Sequence, residues 1–275
     1  MDLFQTLVLS ITQGLTELFP ISSLGHTIII AQLFNWKSLL SDESFLSFIV
    51  ALHLGTTIAL LIYFKNDWLL IIKGFGSSIK RGEIKKNKDE WLSWLLIVSC
   101  IPTGLIGVVL EHPIKNLFKS SFFASIFLTI NGVILLIGEI IRRKKIHHQN
   151  KDISELTFKN AFFIGIVQCL AFLPGISRSG ITMVGGLLSG LTHEDSAHYS
   201  FLLSAPIIGA AAFLEIPMLF KSSSNVIIIL LGMVLSGVLA FLTTKFLTKY
   251  FKFGNLIPFA LYCFSVGIIT LIFWS

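Results

Sequence analysis

Two short stretches of this sequence collect polar side chains of the types that bind and transfer charged groups. The first reads QGLTELFPISSLGHT over residues 13–27, and the second reads QCLAFLPGISRSGIT over residues 168–182. Together they supply an amide, a carboxylate, an arginine, a histidine and several hydroxyl groups, carried by Gln13, Glu17, Ser22, Ser23, His26, Ser177, Arg178, Ser179 and Thr182. An arginine surrounded by hydroxyl donors suits phosphate, because the guanidinium presents paired N–H groups to two oxygens.

The backbone of the two stretches favours the same ligand. We predict that a helix begins just after each hydroxyl cluster, at Gly25 and at Gly180. The free N–H groups and the positive dipole end of a helix amino terminus attract anions. Glycine at these positions lets a phosphate approach the backbone closely. Two helix amino termini and one arginine therefore predict a phosphate site.

Anion binding alone does not require Glu17, because a carboxylate repels phosphate unless it holds a cation or acts as a base. We predict that Glu17, with Gln13 one helical turn earlier, holds Mg²⁺ or Ca²⁺ against the phosphate oxygens. Ser23 is the candidate nucleophile, with direct attack by water as the alternative, and His26 is the candidate acid. The implied reaction is phosphoryl transfer to water. The simpler alternative is a structural ion pair between Glu17 and Arg178.

The composition places this chemistry in a membrane. Hydrophobic residues make up 54% of the 275 positions and charged residues 13%, with a mean hydropathy of +0.83. Soluble domains carry about 25% charged residues. We predict an all-α polytopic membrane protein with six full spans, each long enough to cross a bilayer, at 45–64, 91–110, 121–142, 199–220, 225–247 and 255–274.

The basic residues indicate how the spans are oriented. The connections 65–90 and 142–159, with the region 245–252, carry 16 lysines and arginines. The other connections carry four, Lys37, Lys115, Lys119 and Lys221. The positive-inside rule places the first group in the cytoplasm and both chain termini outside. The basic residues thus serve as topology signals, and we predict no nucleic-acid partner.

The two polar stretches lie within the apolar regions 3–35 and 158–192, each interrupted by proline. We predict two re-entrant helix pairs, with an ordinary kinked helix or a pair of spans as the alternative in each case. Aligned without a gap at an offset of 155, the stretches share seven identical residues. This predicts an internal duplication, 1–143 and 156–275, joined by a basic cytoplasmic linker within one membrane domain. Because charge places the two starts on opposite faces, the repeat has inverted topology, with the broken helices meeting near the midplane.

These motifs resemble the undecaprenyl-diphosphate phosphatases of the bacitracin-resistance type. The (Glu/Gln)-x-x-x-Glu motif of that family corresponds to Gln13–Glu17, and its Pro-Gly-x-Ser-Arg-Ser-x-x-Thr motif corresponds to Pro174–Thr182. The run FPISSLGH at 19–26 is similar to the family's Pro-x-Ser-Ser-x-(Gly/Ala)-His. The resemblance covers essentially the whole chain.

The resemblance implies hydrolysis of undecaprenyl diphosphate to undecaprenyl phosphate and inorganic phosphate, which recycles the lipid carrier for cell-wall synthesis and confers bacitracin resistance. It also implies a divalent cation, a bacterial inner-membrane location, an active site open to the outer face and a homodimer. It assigns catalysis to Glu17, Ser23, His26 and Arg178. The predicted substrate-binding set is Gln13, Ser22, Gly25, Ser177, Ser179, Gly180 and Thr182. A polyprenyl-phosphate transporter using the same anion site is the alternative, although transport needs neither a base nor a nucleophile.

Three positions depart from the pattern of the family. Leu24 stands where a hydroxyl residue is usual, Ile49 where many members carry an acid, and Cys263 where we expect an arginine. None of them falls on the catalytic positions named above. We interpret His53, inside the first span, as a packing or hydrogen-bonding residue rather than a catalytic one.

Overall fold

The chain is all helical in its described part. The computed structural model describes residues 1–36, 38–41, 43–84, 87–114, 120–144, 151–221 and 226–274. Its α-helices are α1 (Leu3–Thr16), α2 (Ser23–Leu33), α3 (Glu43–Tyr63), α4 (Lys65–Arg81), α5 (Lys88–Ile114), α6 (Ser121–Lys144), α7 (Phe158–Gln168), α8 (Arg178–Leu188), α9 (His193–Lys221), α10 (Val226–Tyr250) and α11 (Ile257–Trp274). The basic positions Lys37, Lys85, Lys86, Lys115, Lys119 and Lys145, used in the topology prediction, lie outside these ranges.

The long helices confirm the polytopic membrane fold. In the described ranges, α5, α6, α9, α10 and α11 are each long and apolar enough to cross a bilayer. A sixth candidate consists of α3 and α4 together, which bend by 83° where they join at Phe64. Each of the six predicted spans coincides with one helix from this set, with ends that differ by a few residues. Large apolar side chains such as Ile227 on α10 and Phe273 on α11 are exposed, which suits a lipid-facing surface.

The stretch after the first span differs from expectation. We predicted a charged connection over 65–90, and the structure instead has the helix α4 over most of it. This helix buries Ile71, Gly74 and Ser78, and it is capped at its carboxyl end by Gly82, whose φ of 68° is left-handed. Its apolar positions recur at helical spacing, so one face packs against α5 although the helix carries three lysines and an arginine. A basic amphipathic helix that is nearly perpendicular to a span is suited to lie along the membrane surface.

Both apolar regions that carry the polar stretches are broken in the middle. Residues 17–22 separate α1 from α2, and residues 169–177 separate α7 from α8. Pro20 and Pro174 lie in these breaks, because a proline removes a helical N–H donor and disfavours helix before it. At 11 residues each, α2 and α8 are too short to cross a bilayer. The re-entrant path of the two pairs stays a prediction.

The second short helix lies at the centre of the molecule. Nine consecutive residues of α8, Ser179 to Leu187, are buried, and the helix packs against α6, α7 and α9. The two predicted repeats interleave, because α1 packs on α10 and α7 packs on α5. Both breaks are therefore held in the middle of the bundle, next to one another. The duplication and its inverted topology stay predictions.

Candidate active site

The site forms where the amino termini of α2 and α8 meet. Each helix begins two residues earlier than predicted, so the starts at Gly25 and Gly180 were wrong. The serines Ser22 and Ser177 are the N-caps, and their hydroxyls accept from the N–H groups of Gly25 (3.2 Å) and Gly180 (3.1 Å). These N–H groups, which we expected to be free for a phosphate, are therefore already capped.

The start of each short helix touches the break that precedes the other short helix. A Cβ atom added to Gly25 would lie 2.9 Å from the Cα atom of Gly175, and one added to Gly180 would lie 3.1 Å from the Cβ atom of Pro20. Gly175 has a φ of 114°, which favours glycine. Glycine at these positions thus brings the two segments together. The capping residue Ser22 also has a left-handed φ, 69°, which is a strained backbone for a side-chain-bearing residue.

A buried asparagine on α6 connects the two breaks. The amide of Asn131 donates to the Pro20 carbonyl (3.0 Å), and its oxygen accepts from the Ser177 N–H (2.9 Å). The same amide contacts the sulfur of Cys263 at 3.3 Å. Sequence reasoning missed Asn131, because a lone asparagine within an apolar span carries no motif. Its place in a span is itself the signal that could have revealed it, since polar residues at that depth need partners.

Glu17 is the centre of the polar cluster. Its Oε2 accepts from the Gln13 amide (2.8 Å) and from the Ser23 hydroxyl (2.5 Å), and its Oε1 accepts from the Arg178 guanidinium (2.9 Å). The side chain of Glu17 is only 6% exposed. The structure therefore brings together four predicted site residues, of which Glu17, Ser23 and Arg178 were assigned to catalysis and Gln13 to substrate binding. The carboxylate is positioned to take a proton from Ser23, since the two oxygens are in direct contact.

Arg178 links the two halves of the site. One guanidinium nitrogen donates to Glu17, and another donates to the Ser204 hydroxyl on α9. The side chain is 12% exposed. A guanidinium has five N–H donors, so these two bonds leave others for a ligand. Ser204 is a further residue that sequence reasoning did not select.

His53 also faces this cluster. Its Nε2 lies 3.6 Å from Glu17 Oε2, and its Nδ1 lies 2.8 Å from the carbonyl oxygen of Ile49, one turn earlier on α3. The predicted hydrogen-bonding role is confirmed. The sequence did not indicate that His53 lies beside Glu17.

His26 turns away from this cluster. Its Nδ1 is bonded to the Ser22 carbonyl (2.7 Å) and its Nε2 to the Tyr262 hydroxyl on α11 (2.9 Å). The rings of His26 and Tyr262 also stack, with centroids 5.6 Å apart. Both ring nitrogens of His26 are therefore engaged within the protein. Its proposed role as an acid would require Nε2 to exchange the tyrosine for a substrate oxygen.

Three of the predicted phosphate-binding hydroxyls bond to the protein itself. Ser177 and Ser179 both donate to the Phe19 carbonyl, at 3.3 Å and 3.0 Å. The hydroxyl of Thr182 lies 2.8 Å from the Arg178 carbonyl and 2.5 Å from the Ser200 hydroxyl. All three residues are fully buried. In this structure they hold Arg178 and the two breaks in place, and direct contact with phosphate stays a prediction.

The two breaks are not equivalent in chemistry. The offset of 155 places Phe172 opposite Glu17 and Arg178 opposite Ser23. Gln168, opposite Gln13, donates to Thr103 on α5 at 2.7 Å. The first segment thus supplies the carboxylate and hydroxyl, and the second supplies the guanidinium. One site forms between the segments, instead of one site in each.

The three departures from the family pattern leave this cluster intact. Ile49 is buried in an apolar cluster that includes Leu9 and Leu52. Cys263 is completely buried beside Asn131. Leu24 is partly buried, one residue after Ser23. In this chain Ile49 and Cys263 therefore belong to the apolar packing around the site.

A divalent cation would have one carboxylate to bind here. In the described ranges, no group of three or more His, Cys, Asp or Glu side chains could hold a metal ion. Glu17 is the acidic ligand present, and Gln13 and Ser23 offer neutral oxygens beside it. Mg²⁺ in proteins is commonly bound by one or two carboxylates together with substrate phosphates. The donor set therefore fits a cation that is held jointly with a diphosphate.

The fold and site define a class of protein, an integral membrane protein with an acid, a hydroxyl and an arginine gathered at two helix amino termini. Comparison with known proteins is more specific. The family described as bacitracin resistance protein BacA matches residues 6–269. The chain is 44% identical over 272 residues to undecaprenyl-diphosphatase 1 of Burkholderia pseudomallei, covering 98% of this chain and 96% of that protein. It is 42% identical over 279 residues to undecaprenyl-diphosphatase 2 of Chromobacterium violaceum, covering 99% of both. This chain belongs to the bacitracin resistance protein BacA family.

Proposed function

We propose that this chain hydrolyses undecaprenyl diphosphate to undecaprenyl phosphate and inorganic phosphate. The observation that carries the proposal is the contact of Ser23 with Glu17 at 2.5 Å, with Arg178 bound to the other oxygen of the same carboxylate. A membrane-embedded base, hydroxyl and guanidinium suit phosphoryl transfer from a lipid diphosphate. The names of the relatives, undecaprenyl-diphosphatases, support the same substrate. The activity regenerates the lipid carrier of cell-wall synthesis and gives bacitracin resistance.

In the proposed reaction the terminal phosphate binds the free donors of Arg178. Ser23 Oγ attacks the terminal phosphorus, and Glu17 Oε2 takes the hydroxyl proton. The bond from that phosphorus to the bridging oxygen breaks, and its electron pair leaves with undecaprenyl phosphate. Water then attacks the phosphorus bound to Ser23, the bond from phosphorus to Oγ breaks, and Oγ regains the proton held by Glu17 as inorganic phosphate leaves. In the alternative, Glu17 activates a water molecule, which attacks the phosphorus directly.

A cation, when bound, would neutralise charge on the diphosphate oxygens. Glu17 would hold it, with Gln13 as a neutral ligand, and the substrate would supply further oxygens. Glu17 would then release one of its present hydrogen-bond partners. This proposal predicts that EDTA lowers turnover and that added Mg²⁺ or Ca²⁺ restores it.

The basic residues support a multi-pass arrangement with cytoplasmic basic connections. The family resemblance supports a location in the bacterial inner membrane and a site that opens to the outer face. A transporter of the same lipid would use the anion site of Arg178 alone. The direct contact of Ser23 with Glu17 favours the enzyme, since translocation needs no proton transfer from a hydroxyl.

The test is release of phosphate from undecaprenyl diphosphate by purified protein in detergent, with and without EDTA. Glu17→Ala and Arg178→Ala should each abolish release. Folding of each variant is checked by its elution in size-exclusion chromatography and its thermal unfolding. Clean, folded wild-type protein that binds the lipid but releases no phosphate would overturn the enzyme and favour the transporter.

A further inference from the structure

The imidazole ring of His53 is held by its own helix. A carbonyl oxygen can only accept, so the Nδ1 of His53 carries a proton and donates to Ile49 at 2.8 Å. This bond sets the orientation of the ring. Its Nε2 then points to Glu17 Oε2 at 3.6 Å, slightly beyond hydrogen-bond distance. The side chain is 26% exposed, whereas that of Glu17 is 6% exposed.

The two oxygens of Glu17 have different tasks. Oε1 faces Arg178, and Oε2 faces Ser23. A carboxylate can rotate about its last side-chain torsion, which is broad and roughly two-fold. Rotation would take Oε2 away from the hydroxyl whose proton it must accept. A donor on the third side of Oε2 opposes that rotation, and His53 occupies that side.

We propose that His53 is a positioning residue: as an imidazolium, with both ring nitrogens protonated, it donates from Nε2 and holds Glu17 Oε2 against the Ser23 hydroxyl. His26 does not share this role, because both of its nitrogens bond elsewhere. Through His53, α3 takes part in the site although no hydroxyl or arginine of the cluster lies on it.

The test compares two replacements. His53→Leu removes the donor and should lower kcat about 10- to 100-fold with KM for undecaprenyl diphosphate changed less than about 2-fold. His53→Gln keeps an N–H donor of similar reach and should restore most of the loss. His198→Leu, at a histidine that pairs with Asp67 away from the cluster, is the matched control and should turn over normally.

A double-mutant cycle separates positioning from a general structural role. If His53 acts through Glu17, His53→Leu should cost little further in a Glu17→Asp background, which keeps a carboxylate base but withdraws it from Nε2. Equal kcat for His53→Leu and wild type, or fully additive losses in the cycle, would refute the proposal. Should His53→Leu fail to fold, His53→Asn, which is too short to reach Oε2, takes its place in both experiments.

A second, independent observation is an apolar groove of about 670 Å³ between α4, α5 and α9. Its walls include Trp68, Ile72, Leu96, Gly104 and Ile207. Ile207 follows Ser204 by three residues on α9, which is about 4.5 Å along the helix axis. Ser204 is the residue that accepts from Arg178. The groove therefore begins within one helical turn of the residue that holds the guanidinium.

We infer that this groove holds the isoprenoid chain of the substrate next to the diphosphate, an inference that rests on the proposed function. A prenyl chain is a hydrocarbon and gains free energy from an apolar wall that excludes polar groups. Nearly all of the lining is apolar. Acyl chains of the bilayer are the competing occupant of the groove. Only if the groove holds the prenyl chain should a change in its walls alter KM for undecaprenyl diphosphate.

Two glycines provide a matched pair of variants. A Cβ atom added to Gly104 or to Gly76 would meet nothing within 4 Å, so each position accepts a larger side chain without a clash. Gly104 lines the groove, whereas Gly76, on α4, is absent from its lining. Gly104→Phe should raise KM for undecaprenyl diphosphate about 5- to 50-fold with kcat retained. Gly76→Phe should leave both constants unchanged.

An unchanged KM in Gly104→Phe, or an equal rise in both variants, would refute the groove as the prenyl site. Absence of phosphate release from the wild type would instead refute the proposed function. If Gly104→Phe does not fold, Gly104→Leu is used, with Gly76→Leu beside it.

Discussion

Replacement of Asn131 by leucine tests how the two halves of the site are held together. The asparagine satisfies the Pro20 carbonyl and the Ser177 N–H, and it is 1% exposed. Leucine has a similar volume and no polar atom, so both backbone groups lose their partner without creating a large cavity. A buried polar group without a partner costs about 1–3 kcal/mol, so the two together cost about 2–6 kcal/mol.

The cost should appear in turnover as well as in stability. Pro20 lies three residues after Glu17, and Ser177 directly precedes Arg178. A shift of either break therefore moves the carboxylate relative to the guanidinium. A displacement of about 1 Å at a reaction centre can lower the rate on the order of 100-fold. We expect Asn131→Leu to lower both the midpoint of thermal unfolding in detergent and the kcat of phosphate release.

The control is Asn66→Leu, which changes an exposed asparagine on α4. It should match the wild type in both measurements. Wild-type stability and turnover in Asn131→Leu would refute the reasoning, because the two stranded backbone groups would then have found other partners. Lower stability with unchanged kcat would show that Asn131 supports the fold without positioning the site.

Three further predictions concern the cluster itself. Ser23→Ala should lose nearly all turnover while still binding substrate, and retained phosphate release would show attack by water instead of the serine. Arg178→Lys should lower kcat about 100-fold, because an ammonium cannot bond Glu17 and Ser204 in the same plane; full activity in this variant would mean that charge alone suffices. Gly25→Ala should separate the two breaks and lower kcat about 10-fold or more, because its Cβ would lie 2.9 Å from the Cα atom of Gly175. The control Gly76→Ala should have no effect on phosphate release, because a Cβ atom there meets nothing within 4 Å.

The sequence by itself determined the membrane class, the spans and the two breaks. Hydrophobicity over about 20 residues and proline within apolar segments are local properties, so they can be read without knowing any neighbour. It also singled out Glu17, Ser23 and Arg178 as candidate site residues, because charged and polar side chains inside apolar segments are costly unless they are paired or face a site. The basic amphipathic helix α4 was missed, because its lysines indicated a connection and hid the apolar positions that pack on α5.

Only the tertiary structure decided which of these side chains meet. Arg178 and Glu17 lie 161 residues apart in the chain, and His26 and Tyr262 lie 236 apart. A helical pattern shows which face of a helix is polar, but the neighbour of that face depends on how eleven described helices pack. For this reason the sequence placed His26 with the predicted catalytic residues and His53 outside them, whereas packing turns His26 towards α11 and His53 towards Glu17.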